Sequence, residues 1–179
     1  TGNDYDVVLW KVSGTGTYTA ATDLLYTETV ALNNGTHDYG NYAEQTSDGG
    51  YIIVGTSVAG ITLTKLSSLP ALDTSFGESV AAAADGGILT ITAADEGTYV
   101  QQVEGGSYIV VGNTEAGTGQ QSDVYINTVS STGEIGTTPT TIGGAYNDKI
   151  TCIRQTSDGG FVFTGSSYDY ASENNVWVV

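Results

Sequence analysis

Apolar and polar positions alternate with a period of two through much of this chain, in short runs closed by Gly, Asn and Asp. Ile150-Thr151-Cys152-Ile153-Arg154 and Ile88-Leu89-Thr90-Ile91-Thr92 show the pattern, with β-branched residues throughout. Such runs predict β-strands, because successive side chains of a strand point to opposite faces. One segment is written three times. Residues 45–57 (QTSDGGYIIVGTS) return at 155–167 as QTSDGGFVFTGSS, and a looser copy, QQVEGGSYIVVGNT, occupies 101–114. The Asp-Gly-Gly step predicts a tight hairpin turn, since glycine accepts positive φ and aspartate can accept hydrogen bonds from nearby backbone amides. The best helical candidate is the Ala-rich stretch 80–84, which Asp85-Gly86-Gly87 ends.

Aligning the three hairpins on Tyr51, Tyr108 and Phe161 gives spacings of 57 and 53 residues. A second landmark keeps the same period. Residues 6–12 (DVVLWKV) match 123–129 (DVYINTV) and 175–179 (NVWVV), and 61–66 (ITLTKL) fills the remaining place. Each period of about 56 residues reads as four strands. The first enters the Asp-Gly-Gly turn, as over 149–156, and the second leaves it, as over 161–166. The third is the D-V-x-hydrophobic run, and the fourth follows a Gly turn, as over 18–32. In the middle copy Glu104 is expected at the place of the turn aspartate, with 67–97 remodelled. Four strands per period of this length predict an all-β, propeller-like protein with antiparallel four-stranded blades. The repeats run roughly 6–60, 61–122 and 123–175, and 175–179 starts the next unit. The chain therefore reads as one repeat domain that begins and stops on a third strand. The absence of Met sets the expectation of a processed product or a portion of a longer chain.

The QTSDGGYIIVGTS hairpin, the D-V-x-L-x-K-V run and the GG…ND segment at 143–148 together resemble tandem repeats in secreted and surface proteins of bacteria and archaea. The resemblance implies propeller blades and an extracellular or cell-surface location. It implies no particular activity, because such folds carry many functions.

Charge narrows the partners. Twenty acidic residues against four Lys+Arg give a formal charge of −16 among 179 residues. Nucleic acid and anionic membranes are poor partners for such a surface. No apolar run reaches the roughly 18–20 residues that span a bilayer, so membrane insertion is not expected. The single cysteine, Cys152, excludes an intramolecular disulfide framework and sits within a strand pattern.

Catalytic and cofactor signatures are weak. The lone histidine, His37, excludes a multi-histidine zinc site, and neither a nucleophile elbow nor a phosphate loop is present. Calcium is the one cofactor worth weighing, and Asp4, Asp6, Asp169 and Glu173 come nearest to a loop set of oxygen ligands. Turn capping is the favoured role for these acids. The residues that build the repeat are the turns Asp48-Gly49-Gly50 and Asp158-Gly159-Gly160. Asn34-Gly35-Thr36 is an N-glycosylation acceptor triplet. Val7, Leu9 and Trp10 at one end, with Val176 and Trp177 at the other, are the expected assembly strands. Trp10, Tyr125 and Trp177 are expected to pack between blades. The reading is a non-enzymatic structural or adhesive protein that assembles with copies of itself through completion of terminal strands. The alternative is a lectin-like module that binds glycans or protein.

Overall fold

Thirteen strands and no helix make up the described residues of the computed structural model, namely 7–12, 24–30, 37–68, 71–77, 86–116, 121–144, 146–169 and 173–178. Strands β1 (Val7–Val12) and β2 (Leu24–Val30) form an antiparallel pair. Strands β3 (Tyr39–Gln45), β4 (Tyr51–Ser57), β5 (Gly60–Leu66) and β6 (Ile88–Ile91) make a four-stranded antiparallel sheet in chain order. Strands β7 (Glu96–Gln102), β8 (Tyr108–Ala116), β9 (Gln121–Val129) and β10 (Thr140–Ile142) repeat it. Strands β11 (Asp148–Gln155), β12 (Phe161–Asp169) and β13 (Glu173–Val178) form a three-stranded sheet in the same order.

The four-strand unit is thus present in the order read from the repeat, with the strand before the Gly-rich turn first and the D-V-x-hydrophobic run third. Each sheet opens on the strand before the Gly-rich turn, so boundaries near 60 and 122 fall inside the sheets rather than between them. The strand expected over 18–32 is β2, and 88–91 forms the fourth strand of its sheet. The helical candidate at 80–84 lies outside the described residues.

The turns behave as their composition demands. Thr46 N–H donates to Gly50 O and Gly49 N–H donates to Thr46 O, both at 2.9 Å, with Gly49 at φ 82°. Asp48 Oδ1 accepts from Gly50 N–H at 2.8 Å and from the Thr46 hydroxyl at 2.5 Å. The same bonds join Thr156, Asp158 and Gly160, and they hold the Asp158 carboxyl below its ordinary pKa. In the middle copy Val103 N–H donates to Ser107 O and Gly106 N–H to Val103 O. That register puts Gly105, not Glu104, at the position of Asp48. The expected substitution of Glu for Asp is therefore wrong: a second glycine, at φ 89°, takes the place and needs no side-chain acceptor.

The lysine of the third strand acquires a reason here. Lys65 on β5 is almost wholly buried (side chain 3% exposed) and its ammonium meets Asp48 Oδ2 at 2.8 Å. It also donates to Leu66 O at 3.2 Å. The middle repeat has Gly105 and Thr128 at these two positions, so both partners of the pair are replaced together.

Side chains on both faces of the first two full sheets are buried. On β4, Ile52 and Val54 pack toward the next sheet with Val100, Tyr108 and Val110. Ile53 faces the other way, with Val7 and Leu66. On the next sheet Tyr99, Ile109 and Val111 pack with Ile150 and Ile153 of β11. This explains why Tyr51-Ile52-Ile53-Val54 is continuously apolar: a strand covered on both faces loses the alternation of a half-buried one. Tyr125 is buried in the largest cluster, as expected of an inter-sheet ring.

The junctions between sheets are themselves repeated. Gln102 N–H donates to Glu44 Oε1 at 3.3 Å, and Gln155 N–H donates to Gln101 Oε1 at 3.0 Å. Ser47 N–H donates to Gln102 Oε1 at 2.7 Å, and Glu104 N–H to Gln155 Oε1 at 3.4 Å. Gly97 N–H donates to Thr56 Oγ1, and Ile150 N–H to Asn113 Oδ1, at 3.2 and 3.4 Å. In each of these three pairs the partners occupy equivalent register positions. One set of inter-sheet bonds therefore serves both junctions.

Glu44 stands where the next sheet has Gln101, and burial raises its pKa against the pull of the Gln102 amide and the Arg154 charge. Glu44→Gln keeps an acceptor for Gln102 and removes the charge. It is expected to stabilise the fold at neutral pH by ~0.5 kcal/mol after solvent screening. A raised carboxylate pKa disfavours the charged form in the fold, so the gain should vanish as pH falls through it. Paired thermal melts at neutral and acid pH measure this, and equal melting temperatures at neutral pH would contradict it.

Candidate functional site

The first strands of successive sheets start side by side, and a cleft of about 330 Å³ opens at that end. Its wall draws on three sheets. β3 contributes Tyr39 and Asn41, and β4 contributes Thr56. Glu96, with Asp95 just before it, comes from the start of β7, while Asn113 and Thr114 come from β8. Ser122 of β9 and Lys149 of β11 complete it.

Tyr39, Glu96 and Lys149 occupy one register position, opposite Thr56, Asn113 and Ser166 respectively. The frame repeats while this position changes from aromatic to acid to base. Part of the wall is pinned. Asn41 Nδ2 donates to Gly97 O at 2.6 Å and to Thr56 Oγ1 at 3.0 Å. Asn113 Nδ2 donates to Glu96 Oε2 at 3.2 Å. Other groups face solvent: Tyr39 is 47% exposed and Lys149 is exposed. An aromatic ring, two carboxylates, an ammonium, amides and hydroxyls around a cleft of this size suit a small polar ligand rich in hydrogen-bonding groups.

A second ladder, tyrosine in two sheets and cysteine in the third, runs deeper along the first strands. Tyr42 and Tyr99 stack with ring centroids 4.1 Å apart and hydroxyls 3.0 Å apart, and the Arg154 guanidinium lies 4.8 Å from the Tyr99 ring. Cys152 takes the equivalent position in β11 as a half-buried free thiol. This is the small strand residue its surroundings in sequence predict.

The residues singled out from sequence scatter. Asp4, Asp6 and Asn34 lie outside the described residues. Asp169 and Glu173 are Cα partners where β12 turns into β13. Among the described residues no group of three or more His, Cys, Asp and Glu side chains converges as a metal site. Val7 is buried against Ile53 and Leu66, with half-buried Leu9 beside it. Trp10 is paired through its backbone with Thr27, Val176 with Ser166 and Trp177 with Gly165. His37 is exposed, its ring 6.3 Å from that of Tyr39. No helix long and apolar enough to cross a membrane occurs among the described residues.

Sequence reasoning missed Tyr39, Glu96 and Lys149. The signal existed: counted back from the aligned aromatics, all three stand at one offset, unlike in chemistry beside matched neighbours. No protein-family model and no curated protein sequence matches the chain.

Proposed function

We propose that this chain is a non-enzymatic extracellular repeat scaffold, with propeller-type sheets presenting the cleft at the start of the first strands to a hydroxyl-rich ligand such as an oligosaccharide. The observation that carries the reading is the single register position filled by Tyr39, Glu96 and Lys149. Around it the turn bonds and junction bonds repeat, so the frame is held constant where the lining varies. Propeller geometry is supported by four-stranded antiparallel sheets in chain order and by one set of bonds at both junctions. The surface location rests on the resemblance of the hairpin repeats.

A glycan array probed with the purified chain, then calorimetry on the hits, tests this. Binding should weaken about tenfold or more in Tyr39→Ala, equivalent to ~1.4 kcal/mol, while circular dichroism stays unchanged. An array without hits, or a Tyr39→Ala variant that binds as well as the parent, removes the cleft from the proposal.

A second reading, self-assembly, draws on the β13 strand. Among the described residues it pairs with β12 on one side, whereas the third strands β5 and β9 carry a fourth strand on the other. Open strand edges recruit further strands. A fourth strand could come from a second copy or from further sequence of the same polypeptide. Size exclusion with light scattering, together with negative-stain microscopy, separates the cases: a stable soluble monomer across concentration would sink assembly.

A further inference from the structure

The loop between β10 and β11 carries two glycines flanked by two carboxylates. Asp123 on β9 presses its carboxylate on Gly143 so closely that a Cβ built there would fall well inside 3.0 Å of Oδ1. Asp148 at the start of β11 accepts from Gly144 N–H at 2.9 Å through Oδ2. Two further bonds tie the strands together. Ser122 N–H donates to Asn147 Oδ1 at 2.9 Å, and the Ser122 hydroxyl donates to Asp148 O at 3.3 Å. Both carboxylates thus border one dipeptide at the seam between the second and third sheets.

One oxygen of each carboxylate is the telling atom. Asp148 is 5% exposed. Its Oδ1, like Oδ1 of Asp123, is shut off from solvent and meets no hydrogen-bond donor among the described residues. Buried polar atoms are almost always satisfied, and a buried carboxylate oxygen without a donor is among the least favourable exceptions. Two such oxygens at one loop call for a positive charge. The described ion pairs belong to Lys65, on β5 of the preceding sheet.

We propose that Asp123 and Asp148, closed over Gly143-Gly144, bind a divalent cation of the calcium class and so fasten the second sheet to the third. Calcium suits an all-oxygen setting and fills its 6–8 positions with carboxylates, backbone carbonyls and water. Zinc prefers nitrogen and sulfur, and the site offers neither His nor Cys. The site differs in place from the acids that sequence inspection favoured. It is also not a property of every repeat. In the preceding sheet Gly60 stands at the position of Asp123, and Asp95, equivalent to Asp148, is exposed.

The test uses the purified full chain, first stripped with EDTA. Calcium at about 100 times Kd should raise the melting temperature by about 5–10 °C, and calorimetry with calcium chloride should show one saturable site. Terbium luminescence, with Tyr146 nearby in sequence, gives an independent readout. Asp123→Asn should weaken calcium binding about tenfold or more, whereas Glu134→Gln, on the exposed turn after β9, should leave it unchanged. Asp123→Asn also covers the case in which Asp148→Asn does not fold. Absence of a calcium-dependent shift and of calorimetric binding overturns the proposal. Equal calcium affinity in Asp123→Asn and the parent overturns it too, since the ion would then sit elsewhere on the acidic surface.

Discussion

Gly112→Ala is expected to lower stability by ~3 kcal/mol or more, a large fraction of the ~5–15 kcal/mol typical of a domain. Gly112 lies on β8 opposite Gly97, beside a register shift between Gly97 and Tyr99. The shift brings Glu96 O over the glycine, so a Cβ would fall well inside 3.0 Å of that carbonyl and of Ile61 Cδ1. The carbonyl belongs to a paired strand and the isoleucine is fully buried, so neither can yield cheaply. Gly55 and Gly165 meet Tyr39 O and Lys149 O in the same way, next to the same irregularity in their sheets. Gly105 supplies the control. A Cβ there has nothing within 4 Å, and only its φ of 89° resists substitution. Gly105→Ala should therefore cost only ~1 kcal/mol. Denaturant titrations of the two variants decide the matter, and a Gly112→Ala midpoint equal to the parent's would refute the steric account.

The second large effect is an asymmetry. Asp48→Ala should cost ~2–3 kcal/mol, and Lys65→Met clearly less, although the two residues share one ion pair. Asp48 is 58% exposed, so water solvates its carboxylate when the lysine is gone. Lys65 has no such recourse. Without Asp48 its buried ammonium keeps Leu66 O and the more distant Asp73, at 3.8 Å. Asp48→Ala also removes the acceptor for Gly50 N–H. Acid should remove part of the same stabilisation without mutation. The hydrogen bond from Lys65, aided by that from Thr46, lowers the Asp48 pKa from 3.8 to about 2. A depressed carboxylate pKa contributes stability that is present above the unfolded value and lost as pH falls toward the folded one. The window is thus about pH 4 down to 2, and solvent exposure of Asp48 keeps the contribution modest. Melting curves across that range should converge for the parent and Asp48→Ala; curves that stay parallel would argue against the pair.

Strand order was legible because every ladder among the described strands joins chain neighbours and the turn after each first strand from β3 onward carries a glycine pair. The repeat also supplied the order within a unit, since the strand before each Gly-rich turn opens its sheet. The repeat bounds at 6, 61 and 123 fall at the D-V-x-L strand, whereas the sheets start one hairpin earlier, at Tyr39 and Glu96. Glu104 misled because chemistry was matched before register, whereas the turn is defined by which amide reaches which carbonyl. The cleft was hidden for a related reason. Tyr39, Glu96 and Lys149 share no chemistry, so their common offset from the aligned aromatics draws no notice until the paired register gives it a meaning. Asp123 and Asp148 are 25 residues apart, and nothing local to either predicts that both close on Gly143-Gly144.

The repeated bonds between sheets give these units the character of interchangeable parts. In each, a side-chain oxygen accepts from a main-chain amide of the adjoining sheet. Every residue except proline offers that amide, so a junction asks little of the sequence on its donor side. A sheet can then drift in composition, gain a loop or lose an ion pair without forfeiting its fit to either neighbour. Units could be exchanged in position, and the chain would still know how to join them.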